Sequence, residues 1–194
     1  MATDTDAVDV VPGDQVVNIT RMALFAALMG AFAFVSVPNP LSPAPVTLQV
    51  LGVFLAGIML GPAWGAGAMA LYLVAGAVGA PVFASGSAGI GVLLGPTGGY
   101  LLSYPLAAFV IGVLLHRGLD TRNIKTAGLP LLVGAMVAGT GIIYASGIAG
   151  LMISLGLGPV EAFVSGAAAF LPAEAAKIAA AIGIVRSDEL AVAA

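Results

Sequence analysis

A long uncharged segment dominates this chain: no Asp, Glu, Lys or Arg occurs in the 95 residues between Arg21 and Arg117. Soluble domains carry about 25% charged residues, most of them on the surface. A segment of this length therefore cannot form the water-facing surface of a soluble globule. We expect it to lie in the hydrocarbon core of a membrane.

The composition supports a membrane protein and argues against several kinds of chemistry. Of the 194 residues, 60% are hydrophobic and 8% are charged, which is typical of multi-pass membrane proteins. The chain has no cysteine, so it has no disulfide, no thiolate nucleophile and no cysteine-based metal site. Its only histidine, His116, is expected at the membrane interface rather than in a metal site. The sequence has no Walker motif, catalytic triad or zinc motif, so we expect no catalytic residue, cofactor, metal or nucleic-acid partner.

Six apolar segments are candidates to cross the bilayer as helices. They are predicted at residues 20–37, 47–60, 63–80, 99–115, 129–155 and 160–185. The fold class that we predict is therefore an all-α membrane protein, a six-transmembrane-helix bundle. Its parts are an acidic, disordered cytoplasmic tail at 1–19, a single transmembrane domain at 20–186 and a C-terminal tail at 187–194.

The basic residues predict how this bundle is oriented. With six spans, both termini and two of the loops lie on the same side of the membrane. That side holds five of the six basic residues, namely Arg21, Arg117, Arg122, Lys125 and Arg186. By the positive-inside rule this side is cytoplasmic. The opposite loops, at 38–46, 81–98 and 156–159, have no basic residue and are rich in Pro and Gly. We expect them to pack on the protein as lids, above a ligand pocket that opens outward.

Glu174 and Lys177 are the strongest candidates for a binding site. Both lie inside the last apolar segment, where a charge costs on the order of 3 kcal/mol by insertion scales. Their i, i+3 spacing places the two side chains on one face of a helix. Pro172 precedes them and predicts a kink. A ligand site is one interpretation, and an ion pair that only fixes the packing of the helix is the other.

Uncharged polar residues on the outer side form a second set of candidates. The Gly-rich stretch at 86–99 contains no Lys and is not a phosphate-binding loop, so we expect close backbone approach to a ligand or to another helix. The residues assigned to ligand binding with Glu174 and Lys177 are Thr47, Gln49, Ser87, Thr97, Gly98 and Tyr100. Their polar groups could also satisfy the local backbone. Glu161 is expected to stabilise the start of the last helix through the helix dipole.

Small residues recur every fourth position on the first helix, at Ala23, Ala27 and Ala31. Such stripes let helices approach closely. Packing within the bundle and docking of a separate membrane subunit are both compatible with the spacing.

Several short motifs follow one another along the chain. They are Val46-Thr47-Leu48-Gln49, Pro81-Val82-Phe83-Ala84, the glycine stretch, Gly95-Pro96-Thr97-Gly98-Gly99-Tyr100 and Leu171-Pro172-x-Glu174-x-x-Lys177. In this order and spacing they resemble the BioY family, the biotin-specific substrate-binding (S) subunits of energy-coupling factor (ECF) transporters. The resemblance covers about residues 20–186.

The resemblance implies a six-helix bundle with an outward-facing vitamin pocket. It implies that biotin is the ligand and that Glu174 and Lys177 bind it. It also implies that the alanine stripe docks on a transmembrane coupling protein, which works with two cytoplasmic ATPases to energise uptake. Alternatives are an S subunit for another small vitamin or biotin precursor, and a non-transporting membrane scaffold or channel.

Overall fold

The computed structural model describes residues 13–121, 124 and 127–187, and this part of the chain is mainly helical. The described residues form seven α-helices, which are joined by short loops, two 3-10 turns and one two-stranded ribbon. The α-helices are α1 (Gly13–Phe34), α2 (Gln49–Ala77), α3 (Ile90–Leu93), α4 (Gly98–His116), α5 (Leu129–Leu155), α6 (Pro159–Gly166) and α7 (Leu171–Arg186). The strands β1 (Ser36–Val37) and β2 (Val46–Thr47) pair antiparallel between α1 and α2.

Five helical segments of the described chain are long and apolar enough to cross a membrane, with α6 and α7 counted together. The α2 helix is the centre of the bundle, because 72% of its most apolar window is buried, against 17% for α1. It packs against α1 on one side and α4 on the other, and α5 packs on α4. The outer faces of α1 and α5 carry large exposed apolar side chains, as expected of surfaces that contact lipid. The chain is a multi-pass membrane protein.

The α2 helix reverses direction at Gly61. This residue has φ 78° and ψ −175°, a conformation essentially restricted to glycine. A Cβ atom at Gly65 would lie 2.8 Å from the carbonyl oxygen of Ala56, whereas nine residues of continuous helix span about 13 Å. The segments on either side of Gly61 therefore form a helical hairpin. The break predicted at Gly61-Pro62 is confirmed.

Close packing and one hydrogen bond hold this hairpin turn. A Cβ atom at Gly112 of α4 would lie 2.7 Å from the Cα atom of Pro62, so the two backbones are in contact. Pro62 has no N–H group for the carbonyl of Ile58, its partner in a continuous helix. The Nε2 atom of His116 lies 3.0 Å from that carbonyl oxygen. Because a carbonyl oxygen only accepts, Nε2 carries the hydrogen. His116 is buried in the protein at the end of α4, and the prediction that it lies at the membrane interface stays a prediction.

The helix ends differ from the prediction in two places. The α1 helix begins at Gly13, seven residues before the predicted start, so part of the predicted tail at 1–19 is helical. An apolar pattern locates the part of a helix inside the hydrocarbon, but the helix itself continues beyond it. Asp14 in the first turn favours this extension through the helix dipole. The rest of that tail, at 1–12, lies outside the described residues, as do Arg122, Lys125 and most of the predicted C-terminal tail.

The last predicted helix, at 160–185, is interrupted. The α6 helix ends at Gly166, a 3-10 turn covers Ala168–Phe170, and α7 starts at Leu171. Pro172 therefore lies in the first turn of α7, where its missing N–H group has no partner to lose. The sequence predicts a kink at this proline, and the structure has a break before it.

We expect Gly61→Ala to destabilise the protein. A side chain at this φ and ψ costs about 1–3 kcal/mol, so the midpoint of thermal unfolding in detergent should fall by several degrees. Gly141→Ala is the matched control, because Gly141 is exposed on α5 with no atom within 4 Å of an added Cβ. Equal midpoints for the two variants would contradict the importance of this turn.

Candidate functional site

A cavity of about 570 Å³, including its open mouth, lies between the helices and the loops that precede α2 and α4. Helices α2, α4, α5 and α7 supply its walls, and residues of the two loops cover it. Seven of the eight predicted ligand-binding residues line it: Thr47, Gln49, Ser87, Thr97, Tyr100, Glu174 and Lys177. The structure thus brings together residues that are up to 130 positions apart in the sequence.

Gly98 is the predicted residue that does not line the cavity. It is the first residue of α4 and is buried. A side chain at this position would overlap the backbone of Leu93 in α3. Gly98 allows α3 to pack closely on the start of α4, and ligand contact at this residue stays a prediction.

Glu174 and Lys177 form a buried ion pair at the cavity wall. The Nζ atom of Lys177 donates to Oε1 of Glu174 over 2.7 Å. The side chain of Lys177 is 6% exposed and that of Glu174 is 3% exposed. The break before α7 places Glu174 in the first turn of that helix, where the helix dipole stabilises a carboxylate. The pair is therefore held at a helix start inside the bundle, and both of its members border the open space.

The two oxygens of Glu174 have different surroundings. Oε1 accepts hydrogen bonds from Lys177 and from the hydroxyl of Tyr144, which lies 2.8 Å away. Oε2 is covered and has no hydrogen-bond partner among the described residues. A buried polar atom without a partner costs about 1–3 kcal/mol, and more when it is charged. The protein therefore leaves part of the hydrogen-bonding capacity of Glu174 unused. We would not expect this of an ion pair that serves only helix packing, because the unpaired oxygen has a cost.

Thr47 and Gln49 belong to a hydrogen-bonded chain at the edge of the cavity. The hydroxyl of Thr47 donates to Oε1 of Gln49 over 3.0 Å, and Nε2 of Gln49 donates to the hydroxyl of Tyr72 over 2.6 Å. The Tyr72 hydroxyl then donates to the carbonyl of Val82 in the loop before α4. This chain ties both arms of the α2 hairpin to that loop. Both residues therefore have partners within the protein, although both border the cavity.

Ser87 and Tyr100 also have partners within the protein. The hydroxyl of Ser87 donates to the carbonyl of Ala84, three residues earlier. The hydroxyl of Tyr100 donates over 2.7 Å to the carbonyl of Gly166, the last residue of α6. Tyr100 thereby stabilises the interrupted helix that leads to Glu174. Thr97 immediately precedes α4, and its side chain makes no capping hydrogen bond.

Two loops cover the cavity and contact each other. The loop after α1 contributes Ala44 and Pro45, and the segment between α2 and α4, which includes α3, contributes Ala84, Ser87 and Val92. The hydroxyls of Ser36 and Ser85 lie 3.3 Å apart and join the loops. Phe83 anchors the second loop, because its ring packs edge-on against Tyr72 and fills the space over Gly76. The expected packing of these loops on the protein is confirmed.

An aromatic wall is the main feature that the sequence analysis missed. The rings of Tyr100 and Tyr144 meet edge to face at 5.9 Å, and Phe170 lies 5.9 Å from Tyr144. Tyr104, one turn after Tyr100, completes this side of the cavity. The signal available was that all four tyrosines lie in predicted helices, where a lipid-facing residue needs no hydroxyl. Three of them, Tyr100, Tyr104 and Tyr144, form this wall.

The alanine stripe lies away from the cavity. Ala23, Ala27 and Ala31 are all exposed on α1, whereas Met29 and Ala33 of the same helix are completely buried against the bundle. The stripe therefore does not serve packing within this chain. It forms a smooth surface of small residues on the outside of the molecule.

Comparison with known proteins gives consistent relatives. The biotin transporter BioY of Thermotoga maritima is 43% identical over 131 residues, which cover 68% of this chain and 72% of that protein. The biotin transporter BioY of Rhodobacter capsulatus is 40% identical over 169 residues, which cover 83% of this chain and 87% of that protein. These relatives are named as transporters and not as enzymes.

A solved structure and a family model give the same result. The crystal structure of the S-component for biotin from an ECF-type ABC transporter superposes with a TM-score of 0.80 and 26% identity. The match covers 91% of this chain and 93% of that one. The sequence model of the BioY family matches residues 4–193. The chain therefore belongs to the BioY family.

Proposed function

We propose that this protein is a biotin-binding subunit that mediates biotin uptake, energised by a partner ECF module. The observation that carries the proposal is the buried pair of Glu174 and Lys177, placed at the wall of a partly closed cavity. The relatives named as biotin transporters, and the solved biotin S-component, supply the identity of the ligand.

The cavity suits the chemistry of biotin. Biotin has a ureido group with two N–H donors and one carbonyl, an apolar thioether ring and a carboxylate tail. Apolar walls with a few polar groups are usual for such ligands, and most of the residues that line this cavity are apolar or aromatic. Glu174 can accept from N–H groups, and Lys177 can donate to either kind of oxygen. Either end of biotin can therefore meet Lys177. The proposed site needs no cofactor, metal or catalytic residue.

The topology that we propose has six spans, cytoplasmic termini and a cavity that opens outward. The hairpin at Gly61 supports six spans, because it divides α2 into two antiparallel arms. The positive-inside rule supports the orientation. Arg117 and Arg186 end α4 and α7, at the ends of these helices away from the cavity-covering loops.

The proposed partner module consists of a transmembrane coupling protein and two cytoplasmic ATPases. The exposed alanine stripe supports docking of the coupling protein on α1, since small residues allow close approach of a second helix. The protein has no nucleotide-binding motif of its own, so energy for uptake has to come from a partner.

A second candidate function is a membrane scaffold without cargo. The observation that favours it is the direct bond between Glu174 and Lys177, which holds the pair together without a ligand. An S subunit for another small vitamin or a biotin precursor is a variant of the first proposal. A ligand panel on the purified protein separates these possibilities.

Removing one charge of the pair should abolish or weaken biotin binding. We expect Lys177→Met to lower the affinity at least tenfold, and Glu174→Gln by about tenfold, because charged hydrogen bonds contribute about 1.5–3 kcal/mol. Isothermal titration of the purified protein with biotin measures both. Glu161→Gln is the matched control, since Glu161 is exposed on α6, and it should bind biotin normally.

The double variant Glu174→Gln/Lys177→Met separates ligand binding from a purely structural role. Each single variant should lower the unfolding midpoint, because it changes a buried ion pair on one side only. The double variant leaves no buried charge, so we expect its midpoint to recover while binding stays lost. Biotin affinity that returns with stability would refute ligand contact by the pair.

A bulky side chain in the alanine stripe should prevent assembly with the ECF module. We expect Ala27→Trp to lose co-purification with the coupling protein and the ATPases while the isolated variant still binds biotin. Ala145→Trp on the exposed face of α5 is the matched control and should retain the module. Equal recovery of the module with both variants would place the docking surface elsewhere.

A further inference from the structure

Tyr104 differs from the other tyrosines of the chain in how its hydroxyl is used. Tyr72, Tyr100 and Tyr144 each donate a hydrogen bond to a defined oxygen, namely the carbonyl of Val82, the carbonyl of Gly166 and Oε1 of Glu174. The Tyr104 hydroxyl has no hydrogen-bond partner within the part of the chain that the structure describes. Yet Tyr104 is only 4% exposed.

The Tyr104 hydroxyl opens into the cavity. Among the described side chains, Oε2 of Glu174 is the one polar atom that is both completely covered and without a partner. The Tyr104 hydroxyl also lacks a partner, so it keeps contact with open space. Since the residue is otherwise buried and lines the cavity, that space is the cavity.

A hydroxyl in this position is available to a ligand. The described part of the protein gives it no hydrogen bond, and phenylalanine would fill the same space without a polar group. A phenol is a donor as well as an acceptor. The cavity also holds an acidic acceptor, Glu174, and a charged donor, Lys177. Tyr104 supplies what this pair lacks, a neutral donor fixed by a packed ring.

We propose that Tyr104 determines ligand specificity by donating a hydrogen bond from its hydroxyl to an oxygen atom of bound biotin. This assignment rests on the proposed function. The acceptor is the ureido carbonyl or the tail carboxylate, since both are oxygen acceptors and both are absent from apolar molecules of similar shape. A site that hydrogen-bonds an oxygen discriminates against analogues without it, because its own polar group is then left unpaired.

Tyr→Phe variants at three positions test the assignment. For Tyr104→Phe we expect an unfolding midpoint without biotin that is unchanged or higher, together with an affinity about tenfold lower by isothermal titration. Tyr72→Phe and Tyr144→Phe remove hydrogen bonds that exist without ligand, so their midpoints without biotin should fall. This opposite sign distinguishes a ligand contact from a structural hydroxyl.

Two analogues identify the acceptor. Diaminobiotin lacks the ureido carbonyl, and an analogue with a methyl group in place of the carboxylate lacks the tail oxygens. The analogue without the contacted oxygen should bind Tyr104→Phe and the unsubstituted protein equally, while the other keeps the tenfold difference. A tenfold difference for both analogues overturns the proposed contact.

Unchanged biotin affinity in Tyr104→Phe overturns the assignment and leaves the proposed function in place. A lower midpoint with normal affinity also overturns it, because the hydroxyl would then be structural. If the unsubstituted protein shows no saturable biotin binding, the proposed function and the role of Tyr104 both fail.

Discussion

Backbone polar groups inside a bilayer have no water to bond with, so every break in a helix must be satisfied by the protein itself. This constraint explains the two main irregularities of the fold. At the α2 hairpin, Pro62 has no N–H group to donate to the carbonyl of Ile58. His116 makes a hydrogen bond to that carbonyl instead. At the end of α6, the hydroxyl of Tyr100 bonds the carbonyl of Gly166. In each case a side chain of α4 repairs the break, so α4 stabilises both the central hairpin and the helix that carries the ion pair.

The second break creates the candidate site. A continuous helix would place Glu174 in its middle, where the helix dipole contributes little to the stabilisation of a carboxylate. Starting a new helix at Leu171 puts Glu174 in a first turn, where backbone N–H groups favour an anion. Lys177, one turn later, and Tyr144 of α5 then hold a single oxygen of this carboxylate. The result is a charged group fixed in position whose remaining hydrogen-bonding capacity is unused by the protein.

The sequence predicts the membrane fold and much of the cavity because charge and helix breakers are local signals. The charge-free segment indicates a membrane bundle, Gly61-Pro62 indicates the hairpin, and the spacing of Glu174 and Lys177 indicates one helical face. The burial of His116 and the break before Pro172 could not be predicted, since each depends on a partner in α4 that is far away in the sequence. Gly98 shows the same limit, because glycine can indicate packing against a neighbour or approach of a ligand, and here the nearest atoms to an added Cβ belong to Leu93 of α3.

The polar residues of the cavity differ in whether their polar groups already make hydrogen bonds within the protein. This difference indicates which of them are available to a ligand. Thr47, Gln49, Ser87 and Tyr100 are engaged in hydrogen bonds that hold the loops and helices in place. A hydrogen bond donated by one of these hydroxyls to a ligand would compete with one that supports the fold, so we expect its net contribution to affinity to be small. Glu174 and Tyr104 still have a polar atom without a partner. A ligand gains most where the unliganded protein is least satisfied, so we propose these two residues, with Lys177 beside them, as the chemically selective part of the cavity.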